Sequence, residues 1–223
     1  MKNSDVQFIT RMENFAFKEV VEEESVYLKP TERNLAILAS LIACQGIDVF
    51  KMMLEKALDE GLDPVMVKEL VYQSVDYVGM GKMWDFLKVV NEVLETKNLS
   101  LDAGEETTTM ENRLEKGVEA QMIIFGDTMK EAWKNSTVNR WLAQNCFGDY
   151  YTRTGLSLAQ REMITFCFLM ALGGCEPQLD AHIQGNINLG NDPDFLVRVV
   201  HQCLPYIGYP RSLNALNAIK KIQ

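Results

Sequence analysis

The sequence predicts an all-α protein built from two copies of one helical unit joined by a helical connector. Apolar residues recur at helical spacing along most of the chain, and no alternating strand pattern is present. A segment near the N-terminus is repeated about 128 residues later. The chain has 223 residues, of which 47% are hydrophobic and 24% charged, a balance typical of soluble globular proteins.

The repeat is clearest in the first predicted helix of each copy and at the end of the third. Apolar positions 35, 38, 39 and 42 reappear at 163, 166, 167 and 170, an offset of 128. One residue is then inserted, and from there the motif Gln-x-x-x-Tyr-x-Gly at 73–79 matches the same motif at 202–208. We therefore interpret residues 31–95 and 157–222 as two copies of one unit.

Four helices are predicted in each copy. They span 32–45, 49–60, 64–76 and 82–95 in the first copy, and 158–172, 177–189, 193–204 and 211–221 in the second. A glycine follows the second helix in each copy and suits a left-handed cap, and Asp-Pro then begins the third helix.

The chain divides into three predicted segments. A first unit occupies residues 1–97, a linker and helical connector 98–156, and a second unit 157–223. The linker from Asn98 to Thr109 is polar and rich in threonine. Residues 111–146 are predicted to form two or three helices, with breaks near Gly126 and near Ser136.

Composition excludes several classes of function. The net charge of −9 is unsuited to nucleic-acid binding, which needs clustered Lys and Arg. No apolar run reaches the roughly 18–20 residues of a membrane helix, and the charged N-terminal stretch does not resemble a signal peptide, so we expect a cytoplasmic protein. Five cysteines without a Cys-x-x-Cys pair, and two histidines without zinc-ligand spacing, predict neither disulfides nor a metal site.

The second unit carries a distinctive set of residues. In chain order these are Leu156-Ser157, Arg161-Glu162, Gly173-Gly174, Gln178-Leu179, His182-Ile183, Gly190, Gln202, Tyr206 and Gly208-Tyr209-Pro210. This pattern resembles the carboxymuconolactone decarboxylase family, which includes the alkylhydroperoxidase D-like proteins. The first unit resembles the family more weakly, and the segment from Phe147 to Ser157 is similar to the connector of two-unit members.

The resemblance implies a tandem repeat of alkylhydroperoxidase D-like helical units that assembles into trimers or hexamers of units. For this two-unit chain we expect a homotrimer, a pseudo-hexamer of units. The family chemistries are decarboxylation of a muconolactone and reduction of peroxides, so the partner would be a small-molecule substrate. No metal or organic cofactor is implied.

The resemblance also implies site residues. Peroxide-reducing members use a Glu, a Cys-x-x-Cys pair and a His four residues later; Glu162, Cys175 and His182 match, and Gln178 stands where the second Cys would be. The candidate catalytic residues are therefore His182, Glu162 and Cys175. The absent disulfide partner favours the decarboxylase branch over the peroxidase branch.

Helix geometry permits Glu162 and His182 to meet. If their helices pack antiparallel around Gly173-Gly174, the two residues lie about 18 Å and about 12 Å from the turn, and the Glu side chain could close much of that gap. Such a pair fixes an imidazole tautomer and raises its basicity. A structural histidine remains the alternative.

The remaining candidates are less clearly defined. Cys175 lies near a helix start, where the thiol pKa could be lowered, or it is a buried inert cysteine. Gln178 and Tyr206 are the candidate substrate-binding residues, although the recurrence of Tyr206 as Tyr77 also favours a structural role.

The first unit lacks the site. Asn34 replaces Glu162, Met53 replaces His182, and Ile47 stands opposite Cys175. We therefore expect this unit to supply an interface and a pocket wall.

The leading hypothesis is a cofactor-independent lyase acting on a small lactone or carboxylic acid by general acid–base catalysis. The alternatives are a peroxidase that uses Cys175, and a non-catalytic scaffold.

Overall fold

The computed structural model describes residues 4–222, and this range contains twelve α-helices and no β-strand. The α-helices are α1 (Val6–Asn14), α2 (Val20–Glu22), α3 (Pro30–Ala43), α4 (Ile47–Asp59), α5 (Pro64–Val78), α6 (Met80–Thr96), α7 (Arg113–Phe125), α8 (Thr137–Trp141), α9 (Leu158–Leu172), α10 (Glu176–Asn188), α11 (Pro193–Ile207) and α12 (Tyr209–Ile222). Two π-helical segments, Phe15–Glu19 and Leu142–Tyr151, and two 3₁₀ segments, Glu24–Val26 and Asp127–Asn135, lie between them.

The predicted tandem repeat is confirmed. Helices α3–α6 form the first unit and α9–α12 the second, and each predicted helix is found with its ends within three residues of the predicted ones. The largest difference is in α11, which continues through Pro205 to Ile207 instead of ending at 204. The predicted breaks at Gly126 and Ser136 also occur, because α7 ends before the first and α8 begins after the second.

The third helix of each unit begins and ends as its sequence predicts. The carboxylates of Asp63 and Asp192 accept hydrogen bonds from backbone N–H groups in the first turn, and a proline follows each of them. Gly79 and Gly208 end the two helices with φ of 78° and 80°, a conformation that residues with a Cβ rarely adopt.

The two units share one core, and the third helix of each packs on the first helix of the other as well as within its own unit. Helices α3 and α9 are almost wholly buried and pack against each other at the centre. Helix α5 of the first unit also packs on α9, and α11 of the second unit packs on α3. Side chains at the end of each third helix therefore lie beside the first helix of the opposite unit.

The connector packs tightly on itself and reaches the second unit. A Cβ on Gly117 would lie 1.7 Å from the Ala143 carbonyl oxygen, so only glycine allows α7 to approach the π-helical segment Leu142–Tyr151 this closely. Helix α7 also contacts α10, which brings connector side chains next to the second unit.

Helices also form in residues 4–29, where the sequence pattern predicts none. This segment is held by the second unit, because the Gln202 side chain donates hydrogen bonds to the carbonyls of Val20 and Val26. Met1–Asn3 lie outside the described residues. None of the helices within residues 4–222 combines the length and apolar character that crossing a membrane requires.

Candidate active site

Glu162 and His182 form a hydrogen-bonded pair, an arrangement that the helix geometry permits. Nδ1 of His182 lies 2.8 Å from Oε2 of Glu162. Glu162 is fully buried and the His182 side chain is 12% exposed. A carboxylate oxygen accepts hydrogen bonds, so Nδ1 donates, and Nε2 is the ring nitrogen left to exchange a proton with a ligand. No described residue hydrogen-bonds to Nε2.

Two neighbouring residues on α10 position this pair: Gly185 leaves space for it, and Asn186 holds it by hydrogen bonds. A Cβ on Gly185 would lie 2.6 Å from Oε2 of Glu162, so the carboxylate reaches the imidazole over a residue without a side chain. The Asn186 amide donates to the carbonyls of Glu162 and His182, at 2.9 and 2.7 Å. Helices α9 and α10 are thereby fixed to each other at the site.

Tyr151, from the connector, holds the second carboxylate oxygen. Its hydroxyl donates to Oε1 of Glu162 at 2.8 Å and lies 2.8 Å from the Tyr77 hydroxyl and 2.7 Å from that of Thr165. A hydroxyl has one proton, so Tyr151 accepts from these two neighbours while it donates to Glu162. Burial and the charge of Glu162 raise the pKa of both tyrosines well above 10, which keeps them protonated.

The network continues into the interior. The Gln73 amide donates to Thr165 at 2.9 Å and accepts from the Arg161 guanidinium at 3.0 Å. Arg161 is paired with Glu69 at 2.9 Å, and Arg153 binds the same carboxylate at 3.0 and 3.1 Å. Both members of the Arg161–Glu69 pair are fully buried. A continuous polar chain therefore links this ion cluster to the Glu162–His182 pair.

His182 lies in the wall of a pocket of about 630 Å³, within the size range of small-molecule sites. Its ring lies edge-on between the rings of Phe125 and Tyr77, with centroid distances of 5.4 and 6.1 Å. Both units and the connector line the pocket: Asp76, Tyr77, Gln121, Phe125, Met129, Leu142, Phe147, Leu169, Leu172, Cys175, Gln178, Ala181, His182, Gln184 and Asn188.

Two further sequence-predicted residues lie at this pocket. Gln178 lines it, as does Cys175. The thiol of Cys175 donates to the Leu169 carbonyl at 3.4 Å, and partial burial, followed by the nearby Glu176 charge, raises its pKa. Of the two alternatives for Cys175, the raised pKa favours the inert thiol over the thiol with a lowered pKa at the helix start.

Tyr206 does not lie at the His182 pocket, so the prediction of Tyr206 as a substrate-binding residue of this site is not supported. Its hydroxyl lies 3.6 Å from the sulfur of Met53, in the first unit, and Tyr206 is not among the residues that line the His182 pocket. Tyr77 takes the corresponding place at His182. The reason is that each third helix packs on the first helix of the opposite unit as well as within its own unit. The repeated Gln-x-x-x-Tyr-x-Gly motif was the available signal, but it does not indicate which unit each tyrosine serves.

The corresponding place in the first unit has no acid–base pair. Asn34 is buried and donates to Glu60 at 2.9 Å, and Arg33 binds the same carboxylate at 2.8 Å. Met53 is buried where the second unit has His182.

Asp76 is a pocket residue that the sequence analysis missed. It corresponds to Pro205 in the second copy, and its Oδ2 is buried with no hydrogen-bond partner among the described residues. Burial, reinforced by the Asp149 charge and opposed by the Cys146 thiol, raises its pKa to about 7.

All five cysteines are free, and within residues 4–222 no group of three His, Cys, Asp or Glu side chains comes together to hold a metal ion.

Comparison with known proteins gives one family match and one similar protein. A family model described as the carboxymuconolactone decarboxylase family matches residues 7–92 and 137–221. The second match begins within the segment that the sequence analysis assigns to the connector. A 4-carboxymuconolactone decarboxylase from Acinetobacter baylyi (strain ATCC 33305 / BD413 / ADP1) is 25% identical over 118 residues, which cover 50% of this chain and 87% of the relative.

Proposed function

The chain belongs to the carboxymuconolactone decarboxylase family, and from this premise we propose that it is a cofactor-independent lyase acting on a small lactone or carboxylic acid. His182 is the proton-transfer group, and Glu162 is its positioning partner. The observation that carries the proposal is the 2.8 Å Glu162–His182 pair in the wall of a pocket of ligand size. The similarity to a decarboxylase supports the lyase class.

The geometry supports a simple proton-transfer step. Loss of CO₂ from the substrate leaves an electron pair on carbon, which an adjacent carbonyl can hold as an enolate. The imidazolium form of His182 delivers its Nε2 proton to that carbon and becomes neutral, and solvent restores the proton. Glu162 stabilises the imidazolium, and the Tyr151 hydroxyl keeps the carboxylate in place.

A substrate panel with matched variants tests this proposal. The panel contains lactones, β-keto acids and peroxides. With any substrate turned over, His182→Ala should lower the rate about 10²–10⁴-fold, the usual share of general acid–base catalysis. Glu162→Gln should lower it less, because Glu162 orients His182 and does not react. Met53→Leu is the matched control in the first unit and should leave turnover nearly unchanged.

Substitution of Cys175 tests the alternative function, that of a thiol peroxidase. If turnover survives His182→Ala and is abolished by Cys175→Ser, the lyase proposal is wrong and a thiol peroxidase takes its place. If no panel compound is turned over or bound, the chain is better described as a scaffold that has kept the fold without the activity.

We also propose that the chain assembles as a homotrimer, a pseudo-hexamer of units. Met80 and Trp84 on α6 are exposed, and so are Tyr209 and Leu213 at the matching positions of α12. Two equivalent apolar patches suit a ring in which each unit contacts a neighbour. Light scattering should give three times the mass of one chain, and Trp84→Glu should reduce it; a monomeric wild-type protein would contradict the proposal.

A further inference from the structure

The pocket around His182 contains no cationic side chain among the described residues. Its lining is mostly apolar, and the one acidic side chain in the lining is that of Asp76. The nearest arginines of the network, Arg161 and Arg153, are both bound to Glu69 and lie outside the lining. Among the described residues, the lining therefore offers a ligand carboxylate no cationic partner except a protonated His182; Arg211, whose charge reaches the Cys175 thiol, lies outside the lining.

Two buried oxygen atoms at the pocket have no hydrogen-bond partner within residues 4–222. They are Oδ2 of Asp76 and Oε1 of Gln121. Gln121 is only 5% exposed and lies on α7 of the connector. Buried polar atoms in proteins are nearly always hydrogen-bonded, so each unpaired oxygen points to a group that binds there.

The helix does not require an aspartate at the position of Asp76. The second copy has Pro205 at the corresponding position, and its helix α11 continues through that residue. A partly buried carboxylate whose Oδ2 has no partner is unfavourable, so its presence only in the copy that lines the pocket is better explained by ligand binding.

We propose that this pocket selects a predominantly apolar ligand with at most one carboxylate and with a hydroxyl or amino group that donates to Gln121 or Asp76. Polycarboxylates are disfavoured, because a second carboxylate would be desolvated without a counter-ion. This inference rests on the proposed function, since the ligand is the substrate of the same site. Within that function it narrows the substrate class to hydroxylated lactones or monocarboxylic acids with an apolar body.

Three aryl acids that share one ring test the inference by calorimetry on the full chain. They are 4-hydroxyphenylacetate, phenylacetate, which lacks the hydroxyl, and 4-carboxyphenylacetate, which carries a second carboxylate. The hydroxylated acid should bind up to about tenfold more tightly than phenylacetate, as one net hydrogen bond allows. The dicarboxylate should bind most weakly of the three.

Two variants assign this preference to the named atoms. Gln121→Leu should reduce the advantage of the hydroxylated acid over phenylacetate. Asp76→Asn removes the negative charge and should reduce the difference in affinity between the dicarboxylate and the other two probes. Met53→Leu, in the first unit, should leave all three affinities unchanged.

The binding ranking and the lyase proposal can fail separately. Equal affinities, a tighter dicarboxylate, or no binding of any probe would overturn the substrate class even if turnover depends on His182. Conversely, the expected ranking, repeated in His182→Ala, together with turnover that is indifferent to His182, would overturn the lyase proposal and leave the ligand class standing.

Discussion

The ring of Tyr77, from the first unit, lies edge-on to the ring of His182, from the second, with 6.1 Å between their centroids. The hydroxyl of Tyr77 also reaches Tyr151, which donates to Glu162. The unit that has lost its own acid–base pair therefore still builds the site of the other unit. The first unit lacks the Glu and the His, but its third helix still contributes to the site, because that helix packs on α9.

This relationship predicts unequal effects for two equivalent substitutions. Tyr77→Phe keeps the ring but removes a hydroxyl from the network that holds Glu162, so we expect turnover to fall up to about tenfold, in line with one hydrogen bond. Tyr206→Phe removes only a contact to the sulfur of Met53 and should leave turnover unchanged. Rates measured on the first substrate found will decide between them, and equal losses in the two variants would contradict the assignment.

The sequence predicts the helices well, but it does not determine which helices pack against each other across the core. Helical periodicity and the Asp-Pro and Gly signals are local, and they place α5 and α11 at nearly their observed bounds. The pairing of Glu162 with His182 also follows locally, because two consecutive antiparallel helices carry the residues. The contact of Tyr77 with the opposite unit depends on which helix packs on which, and periodicity contains no such information.

The pKa values of the titratable groups also depend on tertiary packing, which the sequence does not predict. Burial of Asp76 against the connector is a tertiary effect, so its raised pKa could not be predicted from spacing. The helix start at Cys175 was visible in the sequence, but the desolvation that overrides it was not.

A second prediction concerns the space beside the catalytic pair. In Gly185→Ala the added methyl group would lie 2.6 Å from Oε2 of Glu162 and 2.9 Å from Ile124, so the carboxylate must move. We expect the protein to fold with a loss of about 1–3 kcal/mol, typical of overpacking, and turnover to fall because the hydrogen bond to His182 is disturbed. Rates and urea unfolding measure the two effects.

Gly81→Ala is the matched control for this substitution. A Cβ on Gly81 meets no atom within 4 Å, and the residue lies in α6. It should keep full turnover and lose no stability, because alanine is favoured over glycine within a helix. Normal turnover in Gly185→Ala would show that the Glu162 position is not important for the reaction.

A third prediction concerns the buried ion cluster. Glu69→Ala would leave the guanidinium groups of Arg161 and Arg153 without their shared carboxylate. Removing one partner of a buried pair typically destabilises a protein by about 3–5 kcal/mol, and we expect a loss of this size in chemical denaturation. Asp85→Ala breaks the exposed pair with Lys88 and should have almost no effect. Similar small losses in both variants would show that the cluster does not stabilise the fold.

The last prediction is a pH dependence of stability that arises from Asp76. Its pKa rises from an ordinary value of 3.8 to about 7 in the folded protein, so the folded state binds a proton more tightly than the unfolded state does. The stabilising contribution is therefore fully present below about pH 4 and is lost as the pH rises through about 7. At about 1.36 kcal/mol per pKa unit, the full change is roughly 4 kcal/mol.

Asp76→Asn isolates this contribution, because asparagine has nearly the same shape and does not titrate. Relative to the wild type, the variant should gain unfolding free energy steadily from pH 4 to pH 8, with the other titrating groups cancelling in the difference. The groups around Asp76 that shift its pKa, the neutral Cys146 thiol and the Asp149 carboxylate, are unchanged in the variant. Urea unfolding at a series of pH values gives the difference directly. A difference that does not vary with pH would show that Asp76 titrates near its ordinary value, and the unpaired Oδ2 would then have to be solvated in the folded protein.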